Sequence, residues 1–195
     1  MGGVLLSELD VRDYWVDERG KRVAENTLGA RPRTLYVSSF WKYAGLDVGS
    51  DGRGRSKRKE HLVQVPYTDK DGKPAVRDGI TYNPFLKTKL VEVLASCFLK
   101  VGVEGSPYAA RYYDQKHRLE SHAVYGTAND EKKDDDGRRI ASPGRRHRDA
   151  IRRMIKQFLC DLYVAWRPIE GQTVHPPYDE AKLGNRHGEP DAKIG

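Results

Sequence analysis

Ser50 and Ser56 lie within a densely cationic stretch, Gly49-Ser50-Asp51-Gly52-Arg53-Gly54-Arg55-Ser56-Lys57-Arg58-Lys59. A serine hydroxyl becomes a nucleophile only beside a base or in a strongly positive, shaped site. Arg53, Arg55, Lys57, Arg58 and Lys59 supply the positive charge. No neighbouring base is evident. From the residues alone, either serine reads as a turn or phosphate-contact residue. A run of cations that follows glycines and contains no lysine–glutamate alternation suits a polyanion, and several phosphate contacts would make its affinity salt-dependent. The competing reading is a solvated charge run.

A second cationic segment strengthens the first. Arg145, Arg146, His147 and Arg148 fall in the opening turns of a helix expected after Ser142-Pro143, with Arg152, Arg153 and Lys156 beyond them. Cations at a helix N-terminus oppose the helix dipole, so stability alone favours acids there. A bound phosphate would offset that cost, because backbone N–H groups and arginines both point at it. The candidate nucleic-acid ligands are therefore Arg53, Arg55, Lys57, Arg58, Lys59, Arg145, Arg146, Arg148 and Arg152.

Other chemistry is weaker. Tyr108, Tyr112 and Tyr113 are able to stack on bases, but their helical spacing fits packing better. His117 and His122 are five apart, which is poor for sharing a helix face, and His175 and His187 are isolated. Asp134, Asp135 and Asp136 are adjacent carboxylates in a flexible run, which do not fix a cation's geometry. The sequence predicts no metal site and no cofactor in this chain.

These residues need elements to position them. The chain has 195 residues, 37% hydrophobic and 32% charged, with a formal charge of +7. Its mean hydropathy is -0.77 and its pI about 9.3. Such a composition fits a modest core under a large polar surface, and the positive field favours nucleic acid or an anionic surface. Cys97 and Cys160 are the only cysteines, so a disulfide framework is excluded as the organising principle; both are expected to be buried thiols. No apolar run approaches the roughly 20 residues of a membrane span. Met1 to Leu9 has no basic n-region, and the expected location is the cytoplasm.

The expected fold is α+β and predominantly helical, with three long helices and a small β-hairpin insertion. Val4 to Leu9 reads as a strand or a helix end, and Asp17 to Pro32 as a loop. Thr34 to Ala44 reads as a helix, with Ser38 or Ser39 as alternative caps and Gly45 as its stop. His61 to Val65 and Ala75 to Tyr82 flank Thr68-Asp69-Lys70-Asp71-Gly72-Lys73, a hairpin signature kept short by Pro66 and Pro74. Asn83-Pro84, Ser106-Pro107 and Ser142-Pro143 each start a helix. The first buries Leu86, Leu90, Val93, Leu94, Cys97, Phe98 and Val101. The third buries Ile151, Met154, Ile155, Phe158, Leu159, Leu162 and Trp166, and Pro168 ends it. Asn129 to Gly137 reads as an exposed loop or disordered link. Residues 1–170 form the expected domain, and residues 171–195 a polar tail.

The order of these segments resembles a known family. Phe40-Trp41-Lys42-Tyr43-Ala44-Gly45-Leu46 is similar to the "YAGL" signature of the C-terminal transposase half of the IS-one-ten group. These are DEDD-type, bridge-RNA-guided insertion-sequence recombinases. Gly79 to Leu90 resembles the family's "I-x-K-x-G-N-x-x-L-R-x-x-L" segment. Ser106 to Tyr113 resembles its "N-P-x-x-x-x-x-Y" helix, and His147 to Trp166 its last basic amphipathic helix. Gly3 to Leu9 is similar to the strip after its "G-I-G-P" turn. The family places a recombinase serine after "YAGL" in a Ser-Gly-x-x-x-Arg-Gly context. Ser50 is the nearest match, with Asp51 interrupting the Ser-Gly pair, and Ser56 is second.

The resemblance implies DNA transposition or site-specific recombination, in which a serine attacks a phosphodiester to form a 5′-phosphoserine link. It implies DNA and a guide (bridge) RNA as partners and a homo-oligomer for the full-length enzyme, with no membrane role. The family's RuvC-like half, with its metal-binding acids, has no counterpart in these residues. Mg2+ is expected only with that half, and this chain alone is expected not to cleave DNA. The alternative is a non-catalytic basic nucleic-acid-binding module.

Overall fold

The amphipathic run after Ser142-Pro143 forms one helix, Pro143–Ile169, and the rest of the chain is built against it. The Ser142 hydroxyl accepts from the Arg145 amide at 3.1 Å, and Pro143 takes a first-turn position where a missing N–H is harmless. The computed structural model describes residues 2–49, 51–135 and 137–177. In chain order its elements are α1 Gly2–Glu8, β1 Tyr14–Val16, β2 Arg22–Val23, β3 Arg31–Arg33 and α2 Val37–Tyr43. Then come β4 Val63–Thr68, β5 Pro74–Gly79, α3 Pro84–Thr88, α4 Ala95–Gly105, α5 Pro107–Glu120 and α6 Pro143–Ile169. The architecture is α+β.

One core joins the helices. Ala150, Met154, Ile155, Leu159 and Tyr163 of α6 are buried together with Phe40 and Trp41 of α2, Leu46, Leu86, Leu90 and Tyr112. Spacings of three and four residues put the α6 set on one face. Burying each aliphatic side chain contributes roughly 1.5–3 kcal/mol. The Tyr163 hydroxyl donates to the Leu35 carbonyl at 2.7 Å, so its one polar atom is satisfied inside the core. Arg167 is wholly buried and donates to the Val11 carbonyl at 2.8 Å and to Asp13 Oδ1 at 2.9 Å. These bonds tie the end of α6 to the segment before β1.

Several expectations change. The run from Val4 is helical, as α1. Asp17 to Pro32 is not simply a loop: β2 pairs with β1 and β3 completes an antiparallel sheet in the order β2-β1-β3. These strands are short and largely exposed, so no period-2 alternation announces them. Ser38 and Ser39 lie inside α2 rather than capping it, because the helix already starts at Val37, before them, with Tyr36 at the cap position. The helix after Asn83 is capped as expected, the Asn83 side chain accepting from the Leu86 amide at 3.0 Å. It is not one regular helix, however. A π-helical stretch, Lys89–Leu94, joins α3 to α4, and Gly102 takes φ +79° within α4. The wider turn shifts the buried row to Leu86, Leu90, Leu94 and Ala95. Val93, Cys97 and Val101 are left exposed rather than buried. Pro168 lies in the last turn of α6, which ends one residue later, at Ile169.

The hairpin forms where expected, with Val63 opposite Gly79 and Thr68 opposite Pro74. Asp69 Oδ1 accepts from the amides of Asp71 and Lys73, and Gly72 supplies the left-handed residue. Of the expected tail, residues 171–177 are described, and they dock: Arg167 Nε donates to the Thr173 carbonyl at 2.6 Å, and the His175 ring meets the Tyr36 ring at a tilt, their centres 5.8 Å apart.

Gly45 is the stop of α2. It adopts φ +65°, and a Cβ there would stand 2.7 Å from the Tyr82 ring. Left-handed strain alone costs about 1–2 kcal/mol for a residue with a Cβ, and the ring contact adds to it. Gly45→Ala is expected to destabilise the fold by at least about 2 kcal/mol. Urea denaturation checks this; an unchanged midpoint would show that Tyr82 and the turn yield freely.

Candidate functional site

The two cationic segments meet. After α2 the chain makes a tight hairpin in which Val48 bridges Gly54, the Gly49 amide donates to the Arg53 carbonyl at 2.8 Å, and the Arg55 amide donates to the Asp47 carbonyl at 3.1 Å. Gly52, at φ +66°, turns it. Gly54 brings the hairpin against α6, since a Cβ there would stand 2.7 Å from the Arg152 guanidinium. Between the hairpin and the first turns of α6 lies a cleft of about 580 Å³. Arg53, Arg55, Ser56, Arg58, Lys87, Arg139, Arg145, His147, Arg148 and Arg152 line it.

A segment expected to be a free acidic loop turns out to build this site. Residues 129–135 fold onto α6, and Lys133 bridges Arg139 in a second small hairpin. Asn129 is buried, its amide donating to the carbonyls of Ala123 and Val124. Asp130 takes a two-pronged bond from Arg146 at 2.6 and 2.9 Å. Asp134 Oδ2 receives Arg53 Nη2 at 2.5 Å. The candidate cations are thus sorted. Arg146 is 4% exposed and faces Asp130 and the Tyr125 carbonyl, so it is not an open phosphate ligand. Arg55 is held by Asp47 at 2.6 Å, and Arg152 is held by Asp149. Lys57 and Lys59 are exposed but do not line the cleft. Arg145 donates to the Ile140 carbonyl and lies over the Tyr125 ring at 4.4 Å. Arg148 is exposed, lines the cleft, and has no ion pair among the described residues. Ser50 lies outside the described residues.

Ser56 has a histidine beside it that its sequence neighbourhood did not reveal. A short 3-10 turn, Lys59–His61, swings His61 back beneath the hairpin. The His61 ring is 2% exposed, and its Nδ1 lies 3.0 Å from the Ser56 amide and 3.2 Å from Ser56 Oγ. Its Nε2 lies 3.0 Å from Asp51 Oδ1. Gly49 permits this approach: a Cβ there would stand 2.5 Å from His61 Nε2 and 2.9 Å from Asp51 Oδ1. Arg58 Nε donates to Ser56 Oγ at 3.0 Å, and Arg58 Nη2 pairs with Asp51 Oδ2 at 3.2 Å. His61 reads in sequence as the start of a β-prone run. The one usable signal is its five-residue separation from Ser56, too common to select it.

Lys87 was also missed. Burial lowers the affinity of its ammonium for a proton, neighbouring Arg152 adds to this, and Asp47 opposes it. Its Nζ donates to the Arg55 carbonyl and lies 4.7 Å from the Tyr82 ring centre. The tyrosines pack rather than stand free: Tyr108 contacts Phe98 and Phe158, and Tyr112 is buried with its hydroxyl 2.7 Å from His147 Nδ1. Tyr113 remains half exposed. Among the described residues, no group of three His, Cys, Asp or Glu side chains is placed to hold a metal.

Burial pushes the Asp51 carboxyl up, but the Arg53 amide, His61 and Arg58 outweigh it and hold it below its ordinary 3.8. The Arg146 hydrogen bonds hold Asp130 below 3.8 as well, against a smaller opposing effect of burial. A carboxyl whose folded value lies below its unfolded value binds fewer protons when folded. Its stabilisation is present above the unfolded value and is lost as pH falls through the folded one. Asp130→Asn is therefore expected to lower stability at neutral pH and to flatten the loss as pH falls below about 4. Denaturant midpoints measured across that range check this; an acid limb identical to the unsubstituted protein's would mean that the pair adds nothing.

Compared with known proteins, the chain matches no family model, no curated protein and no solved structure.

Proposed function

We propose that this chain is the DNA-binding, serine-bearing portion of an enzyme of DNA transposition or site-specific recombination, and that the cleft between the basic hairpin and α6 holds the DNA backbone. One observation carries the proposal: cationic segments far apart in sequence line the same cleft, with Ser56 on its wall. The reaction class comes from the resemblance of the ordered motifs to the IS-one-ten group; the cationic lining of the cleft supports that reading.

Charge supports a phosphate rather than a neutral ligand. Asp47, Asp51, Asp134 and Asp149 occupy Arg55, Arg58, Arg53 and Arg152. Arg148 keeps its full charge toward the cleft, and Lys87 would gain proton affinity from a bound anion. Guanidinium groups match phosphate oxygens in pairs. The N-terminal end of α6 adds the partial positive charge of its aligned peptides. Among the described residues, no group of three His, Cys, Asp or Glu side chains is placed to hold Mg2+.

Duplex DNA binding measured by filter retention at two salt concentrations tests the proposal. Affinity is expected to fall as salt rises. Arg145→Ala and Arg148→Ala are each expected to weaken binding and to reduce the slope of log affinity against log salt by about 1. Lys57→Ala combined with Lys59→Ala, off the cleft, is expected to change that slope less. Salt-independent binding, or slopes unaffected by the cleft arginines, would overturn the assignment.

A further inference from the structure

We propose that the acidic segment before α6 competes with the cleft's ligand: Asp134 occupies Arg53 in place of a phosphate, and a phosphodiester entering the cleft displaces it. This rests on the reading of the cleft as a DNA-backbone site, and the test below separates the two.

Two carboxylates of the segment hold arginines, and the two contacts differ in kind. Asp130 meets Arg146 with both oxygens, and Arg146 is 4% exposed with a further bond to the Tyr125 carbonyl. Removing that carboxylate would leave a buried charge unpaired, so this contact is a lasting pin. Arg53 and Asp134 are 25% and 28% exposed and meet through one nitrogen, Nη2, at 2.5 Å. Water reaches both groups, and pairs of this kind hold weakly. Among the described residues, the Arg53 guanidinium has no second acceptor. A guanidinium grips a phosphate in two places along one of its open edges, Nε with Nη2 or Nη1 with Nη2. Both edges include Nη2. A phosphate on Arg53 therefore comes up against the Asp134 carboxylate, and the two anions repel. The two-pronged ligand has the advantage over the single-pronged one.

The segment can give up this contact and keep its pin. Asp134 Oδ1 accepts from the Arg138 amide at 2.7 Å, and the Asp134 amide donates to the Arg138 carbonyl at 2.8 Å. With the Lys133–Arg139 bridge, these bonds close the turn on itself. A second contact to the basic side, Arg138 Nη2 with Glu60 Oε1, spans 3.9 Å between half-exposed groups. Releasing both leaves Asp130 on Arg146. Arg53 lines the cleft and Asp134 does not, so release frees a cation on the wall that already carries Arg145 and Arg148. A plain structural clasp would show the same contact, but it predicts the opposite sign: an aspartate that holds Arg53 in place for DNA weakens binding when its charge is removed.

Duplex DNA retention by the full chain is measured for the parent, Asp134→Asn, Arg53→Ala and the double variant, at two salt concentrations. Asparagine keeps the oxygen that accepts from the Arg138 amide, so the turn is retained while the charge on Arg53 is lost. Asp134→Asn is expected to tighten binding about 5-fold and to steepen the slope of log affinity against log salt by about 1, as one added phosphate contact does. In the double variant both gains are expected to vanish. Weaker binding by Asp134→Asn would make the contact a clasp, and an equal gain without Arg53 would reduce it to general charge removal; either overturns the proposal. The same four proteins are titrated with inorganic tripolyphosphate. An Arg53-dependent gain there, with no duplex binding by any variant, would overturn the proposed function and leave the competition standing. Binding of neither anion would overturn both.

Discussion

Like-charge repulsion is the constraint around which this site is organised. A cleft lined by so many arginines and lysines would push itself apart without acids among them, and the fold supplies a carboxylate at nearly every point. Asp47 and Asp51 come from the basic hairpin, Asp130 and Asp134 from the segment before α6, and Asp149 from α6 itself. Four of the five pairs are charge-assisted hydrogen bonds, and Arg58–Asp51, at 3.2 Å, is an ion pair. Two of them cross between stretches, Arg53–Asp134 and Arg146–Asp130, and these join the hairpin, the acidic segment and α6. The pairs at the rim are partly exposed and individually weak. Arg146 differs, being buried with two bonds to one carboxylate, and it is the pin that holds the acidic segment on α6.

Neutralisation on this scale leaves a selective remainder. Arg148 stays open, Arg145 is steadied by an aromatic face and a carbonyl, and Lys87 is half buried with its charge disfavoured. An anion entering the cleft meets these groups and the end of α6 at once. The apolar face of α6 makes such an arrangement stable, because the helix is anchored by Met154, Ile155, Leu159 and Tyr163 well away from its cationic end. One helix thus serves the core with its middle and the site with its first turns.

Much of this was legible in the sequence, for physical reasons. Proline after a capping side chain marks helix starts, so Asn83 and Ser142 were readable. The hairpin at Thr68 to Lys73 carried its own turn chemistry. The two cationic segments were visible as segments, but not as neighbours, because their meeting depends on how α6 packs on the core. The acidic run at Asp130 to Asp134 looked solvated because its partners, Arg146 and Arg53, are distant in sequence. The π-helical turn at Lys89–Leu94 left no signal in side-chain type, and it turned Cys97 outward. His61 was hidden for a similar reason: a single 3-10 turn, not a motif, places it against Ser56 and Asp51.

The central claim is that the basic hairpin and the start of α6 act as one surface for nucleic acid. Hydrogen–deuterium exchange of the full chain with and without duplex DNA tests it most directly. The account predicts slowed exchange at amides of residues 51–61 and 139–152 together, with the β4–β5 hairpin unchanged. Protection confined to one of the two segments, or centred on β4 and β5, would contradict it.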